Sequence, residues 1–82
     1  MSDDTKELNA AEREAIDNVF SYHAPTPEQI PKYAALRAAA KQFAGVLFEI
    51  CPPSADRSAA IRKLREAVMT ANASIALGGK GL

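Results

Sequence analysis

The chain has a single cysteine, Cys51, no tryptophan and only five aromatic residues among 82. One cysteine excludes an internal disulfide and a cysteine-based zinc cluster, and it is the usage a reducing cytosol allows. No apolar run approaches the ~18–20 residues that cross a bilayer, because Lys41, Glu49 and Arg57 interrupt the longest apolar region, so no membrane partner is expected. Asp3, Asp4 and Glu7 stand where a secretory leader would carry bases and an apolar stretch. Catalytic groups are equally sparse. There is one histidine, no His-Glu pair at metal-ligand spacing, no Gly-x-Ser-x-Gly elbow and no glycine-rich phosphate loop. The expectation is a binding protein and not an enzyme, with no metal and no cofactor.

A chain this short buries only about 60–65% of its unfolded surface and is marginal without an added device. With disulfide and metal excluded, self-association is the device that remains, so a homo-oligomer is expected. Alanine, the commonest residue, makes slim helices that pack closely but leaves few bulky side chains to close a private core.

No stretch alternates apolar and polar residues, and the chain reads as all-α. A first helix over about 9–21 follows from Asn9-Ala10-Ala11-Glu12, a capping-box pattern, and from Ile16, Val19 and Phe20 at helical spacing. Tyr22-His23-Ala24-Pro25-Thr26-Pro27 ends it in a stiff bend, since the residue before each proline is pushed out of the α region. A second helix over about 27–51 opens at Thr26-Pro27-Glu28-Gln29, with Gln29 placed to reach back to the cap backbone. Pro31 lacks the N–H that the fifth helical position needs, so either the first turn is distorted or the regular helix begins near Gln29. Tyr33, Leu36, Ala40, Phe43, Leu47 and Ile50 then step by three and four until Cys51-Pro52-Pro53 stops the heptad seam. A third helix over about 54–77 has Ser54 as its cap, Asp56 in its first turn, the stripe Ile61, Leu64, Val68, Ala71 and Ile75, and Gly78-Gly79 as its end. Residues 78–82 are expected to form a loose tail. The expected architecture is one domain, a short N-terminal helix followed by an antiparallel hairpin of two long helices, assembled with copies of itself.

The zero net charge hides an asymmetry. Residues 1–28 carry seven acids against Lys6 and Arg13, whereas residues 29–82 carry eight bases against Glu49, Asp56 and Glu66. The acidic first helix could dock on a basic hairpin, its own or a neighbour's, or the basic surface could hold an anionic ligand. Zero net charge argues against a duplex nucleic-acid partner, which usually meets a strongly basic balance. Arg57, Arg62, Lys63 and Arg65 cluster on the third helix, where Arg62 and Glu66 suit an ordinary surface pair and the others could face anions.

Arg37 and Lys41 sit one turn apart and form a cationic stripe beside the seam. Tyr22, on the proline-stiffened bend, offers a ring on which a nucleotide base could stack for about 1–3 kcal/mol while the cations hold phosphate. Thr26 and the first N–H groups of the second helix could add an anion contact. A plainer assignment fits the same residues: Tyr33 continues the seam, Arg37 and Lys41 are solvated, His23 bridges the bend, and Cys51 is a small apolar filler at a helix end.

Several of these residues group into a known pattern. Tyr22-His23, Pro25, Gln29, Tyr33, Leu36-Arg37 and Phe43-Ala44 are followed by Pro53-Ser54, Asp56-Arg57-Ser58, Ala60-Ile61, Leu64, Ala67, Met69 and Ala71-Asn72-Ala73-Ser74-Ile75-Ala76. Together they resemble the helical hairpin of the bacteriophage cyclic-nucleotide sponges that counter CBASS and Thoeris immunity, over about residues 19–77. The discriminating parts are the Tyr-His-x-Pro bend and the Met-x-Ala-Asn-Ala-x-Ile-Ala ending. The resemblance implies a homohexamer in the cytoplasm of an infected bacterial host. It implies capture, without cleavage, of cyclic oligonucleotide second messengers such as 3′,3′-cyclic GMP-AMP at subunit interfaces, with a separate trinucleotide site near the three-fold axis. It also implies Tyr22 as the base-stacking ring and Arg37 as the phosphate cation, with His23 and Thr26 as further ligand contacts; Lys41 joins them from geometry alone. The sequence departs from the pattern at Thr70, where relatives often have tryptophan, and near Leu77, where they have a base, and both departures bear against the trinucleotide site. The competing expectation is an oligomerising hairpin that binds protein and no small ligand.

Overall fold

The computed structural model describes residues 7–81. Asp3, Asp4 and Lys6 of the acidic segment, and Leu82 of the tail, lie outside the described residues. Three helices and no strand make up the described chain: α1 (Ala10–Val19), α2 (Ile30–Ile50) and α3 (Ala55–Ala76).

Each helix begins where its local chemistry places it. At α1 the Asn9 side chain accepts the Glu12 N–H at 2.7 Å and the Glu12 carboxylate accepts the Asn9 N–H at 3.0 Å, a reciprocal box that satisfies two otherwise orphaned donors. The Thr26–Gln29 pair forms a second box, Thr26 N–H to Gln29 Oε1 at 3.0 Å and Gln29 N–H to Thr26 Oγ1 at 3.3 Å. The regular helix starts at Ile30, after Pro27, Glu28 and Gln29 have formed a turn. Pro31 explains the delay: one residue into α2, its missing N–H falls among donors that have no intrahelical acceptor anyway. At α3 the Ser54 hydroxyl accepts the Arg57 N–H at 3.1 Å.

The C-terminal end of α3 closes as a Schellman motif. Gly78 N–H donates to Ile75 C=O at 3.1 Å and Gly79 N–H to Ser74 C=O at 3.0 Å, with Gly78 and Gly79 at φ 59° and 81°, a conformation that favours glycine. The segment expected to be a loose tail is a hydrogen-bonded turn up to Lys80. The Lys80 N–H donates to Leu77 C=O at 3.0 Å, and its own carbonyl accepts from Asn18 Nδ2 at 3.4 Å.

α2 and α3 pack side by side with their ends opposed. Gln29, just before α2, donates to Ile75 C=O near the end of α3, while Arg57, at the start of α3, donates to Cys51 C=O just after α2. The Arg57 guanidinium also lies 4.8 Å from the centre of the Phe48 ring, so this cation holds the turn and is not presented to an anion. Arg57→Ala is expected to lower stability to urea by about 1–2 kcal/mol through loss of the bond and the ring contact, and Arg57→Lys should recover little of it.

α1 packs against neither α2 nor α3. Leu36, Ala40, Leu47, Ile61, Leu64, Val68, Ala71 and Ile75 of the expected seam are half-buried between the long helices, but Phe43 and Ile50 are 53% and 72% exposed. The reason is the drift of a 3.6-residue helix across a strict three-and-four rhythm: Phe43 and Ile50 rotate off the contact line, and Ala44 takes the inner place. No described residue is fully buried. The molecule is 53 × 39 × 15 Å, so its thin dimension holds one layer of helices, each about 10–12 Å across. Its radius of gyration is 18.0 Å, against about 12 Å for a compact chain of this length.

Candidate ligand site

The residues singled out from the sequence fall in three places. Arg37 and Lys41 project from α2 along one face of the hairpin, and Arg65 of α3 joins them. Their stems line an almost wholly apolar groove of ≈ 240 Å³ together with Ala40, Ala44, Ile61 and Leu64, and Arg37, Lys41 and Arg65 are all exposed. An anion lying there would meet positive charge from both long helices and apolar surface beneath. No histidine, cysteine or carboxylate lines this groove.

Tyr22 stands on the bend and is 88% exposed, and its ring does not line the cationic groove. Thr26 is exposed, with its hydroxyl accepting the Gln29 N–H in the cap of α2. His23 is half-buried and turned back toward α1, its Nε2 2.5 Å from Asn18 C=O. It lines a different hollow, ≈ 550 Å³ and wide open, among Glu14, Asp17, Asn18, Ser21 and Lys80. The acids on that wall make it a poor anion site.

One chain therefore gathers the cations but not the aromatic ring. Arg65 was visible in the sequence only as one of a run of bases. Its pairing with Lys41 needed the register of the two long helices: folding the chain about Pro52-Pro53 sets Lys41 opposite Arg65, as it sets Gln29 against Ile75. On the opposite face, Ala39, Phe43, Ala67 and Ala71 line an apolar hollow of ≈ 360 Å³ that carries no charge. Thr70 and Leu77 border another hollow of ≈ 360 Å³ together with Ser74 and Gly79, also without a cation.

The sequence model of the Acb2/Tad1 hairpin domain matches residues 12–76, well over half of the chain. No curated protein and no solved structure gives a significant match.

Proposed function

The chain belongs to the Acb2/Tad1 hairpin-domain family, the anti-CBASS and anti-Thoeris sponges, and on that premise we propose that it is a phage immune-evasion protein that sequesters cyclic dinucleotides, such as 3′,3′-cyclic GMP-AMP, without cleaving them. The observation that carries the reading is the apolar groove lined by the stems of Arg37, Lys41 and Arg65, three exposed cations supplied by both long helices. Its cations neutralise phosphate, and no histidine, cysteine or carboxylate lines it. The bound messenger stays intact and is withdrawn from the host effector, in the cytoplasm of the infected bacterium.

The pocket is completed by a second copy. A groove of ≈ 240 Å³ falls short of the ~300–1,000 Å³ that encloses a ligand of this size. The single chain also exposes 6513 Å² where a compact chain of its mass exposes about 4,700 Å². The excess is comparable to the surface of a stable protein interface and accords with self-association. In the assembly Tyr22 of one copy stacks on a base whose phosphates lie against Arg37 and Lys41 of another, with Thr26 and His23 near the base end. The hexamer of the family is the expected assembly. The uncharged hollow at Thr70 and Leu77 supports dinucleotides over trinucleotides as the ligand class.

Calorimetry with 3′,3′-cyclic GMP-AMP tests the reading: submicromolar binding is expected, and heating the complex should return the ligand unaltered. No binding across cyclic di- and trinucleotides and cyclic ADP-ribose isomers would refute it. Arg37→Ala should weaken binding by about 1.5–3 kcal/mol and flatten its dependence on salt. A second reading, an interaction module with no small ligand, draws on the exposed Leu8 and Phe20 beside α1. Thermal shift separates the two, because a ligand that binds only the folded state raises the melting temperature with the logarithm of its excess.

A further inference from the structure

The bend that carries Tyr22 is fastened to the far end of α3. Gln29 is the fastener. Its amide oxygen accepts the Thr26 N–H at 3.0 Å, its backbone N–H donates to Thr26 Oγ1 at 3.3 Å, and its amide nitrogen donates to Ile75 C=O at 3.1 Å. These partners fix the orientation of the amide, since the reverse would set oxygen against the Ile75 carbonyl and NH₂ against the Thr26 N–H. Gln29 is half-buried, and 46 residues of chain separate it from Ile75. On the other side of the bend, His23 Nε2 meets Asn18 C=O at 2.5 Å, and the Asn18 amide reaches Lys80 C=O at 3.4 Å. Tyr22 lies between these two fastenings. Its ring is 88% exposed, so its position comes from the backbone on either side.

We propose that Gln29 is the positioning residue of the ligand site: by tying the cap of α2 to the last turn of α3 it fixes where the Tyr22 ring stands on its own hairpin, and so how the ring is presented to the groove of the neighbouring copy. The inference rests on the reading that Tyr22 stacks on a base. A loose Tyr22–Thr26 segment would lose conformational entropy when a ligand ordered it, and a segment already held does not. Two prolines stiffen the segment internally but do not set its angle to the hairpin, and the Gln29–Ile75 bond does.

Two variants test this. Gln29→Met removes both side-chain bonds, while Gln29→Glu keeps an oxygen for the Thr26 N–H and loses only the donor to Ile75. In the unliganded full chain, the NMR backbone order parameters of residues 22–24 should fall in both variants. The dissociation constant for 3′,3′-cyclic GMP-AMP at 25 °C should rise about tenfold in Gln29→Glu, the loss expected for one part-buried hydrogen bond, and at least as much in Gln29→Met, which loses two. For Gln29→Glu the same ratio to wild type should persist in ~1 M salt, where the Debye length is about 3 Å and charge repulsion is screened. A purely structural role would lower the melting temperature and leave the affinity unmoved. Wild-type affinity in both variants, or weakened binding with unchanged order parameters in the bend, overturns the positioning role alone. Absence of binding by the wild-type protein overturns the functional reading on which it rests.

Discussion

Phe43→Glu is expected to give a helical but monomeric protein. Phe43 sits in the middle of α2 and is 53% exposed in the single chain, on the wall of an apolar hollow that it shares with Ala39, Ala67 and Ala71. Ile50 and Met69 are also largely exposed. A glutamate at position 43 would be well solvated in an isolated hairpin, so the fold of α2 against α3 has little reason to change. Buried between copies, the same carboxylate has no partner among the uncharged residues of that hollow, and leaving an unpaired charge in an interface costs several kcal/mol. About 3 kcal/mol weakens association roughly a hundredfold. Sedimentation velocity at micromolar concentration checks this: the wild type should sediment as an oligomer and the variant as a single chain. Because no described residue is fully buried in one chain, the monomer should also melt at a lower temperature than the assembly. An unchanged sedimentation coefficient would place the interface elsewhere.

Tyr22→Ala is expected to weaken cyclic dinucleotide binding by about 1–3 kcal/mol, or roughly five- to 150-fold, with no loss of stability. The two halves of that statement have separate origins. An aromatic ring stacked on a base accounts for the affinity, and the 88% exposure of Tyr22 in the single chain leaves the fold indifferent to its removal. Tyr22→Phe keeps the ring and should bind close to wild type. Calorimetry and thermal melts on the three proteins are sufficient. A loss of stability in Tyr22→Ala with unchanged affinity would make the ring an interface residue and not a ligand contact.

The helices were legible because their ends are written in short-range chemistry. Asn9 with Glu12, Thr26 with Gln29, Ser54 and Gly78-Gly79 are local signals, and each forms the bonds its pattern implies. Pro31 leaves open whether the first turn of α2 is distorted or the regular helix begins near Gln29, and in the structure the helix begins at Ile30 after a turn over Pro27, Glu28 and Gln29. The seam was legible in α3, where every stripe residue faces α2, and less so in α2, where Phe43 and Ile50 turn outward. An apolar residue in a heptad pattern says that it will be covered, but not by which partner. The cation pair Arg37 and Lys41 could be read from spacing, whereas Arg65 depends on contact across the turn. Lys80 reads as part of a loose tail in the sequence, since the bond from Asn18 to its carbonyl joins residues 62 apart, a distance at which local pattern carries no information. His23 illustrates the remaining gap: its place beside Tyr22 suggests a ligand contact, and the sequence gives no sign that its ring also meets Asn18 C=O.

The central claim is that one chain supplies the cations and another the ring. Mixing subunits tests it most directly. Tyr22→Ala and Arg37→Ala chains, each defective alone, would be unfolded together in equal amounts, refolded and titrated with 3′,3′-cyclic GMP-AMP. In a shared site, random assembly places an intact Tyr22 opposite an intact Arg37 in about a quarter of the sites, and that fraction should bind with wild-type affinity. If both residues served a site within one chain, no mixture would recover any tight binding, and the account would be contradicted.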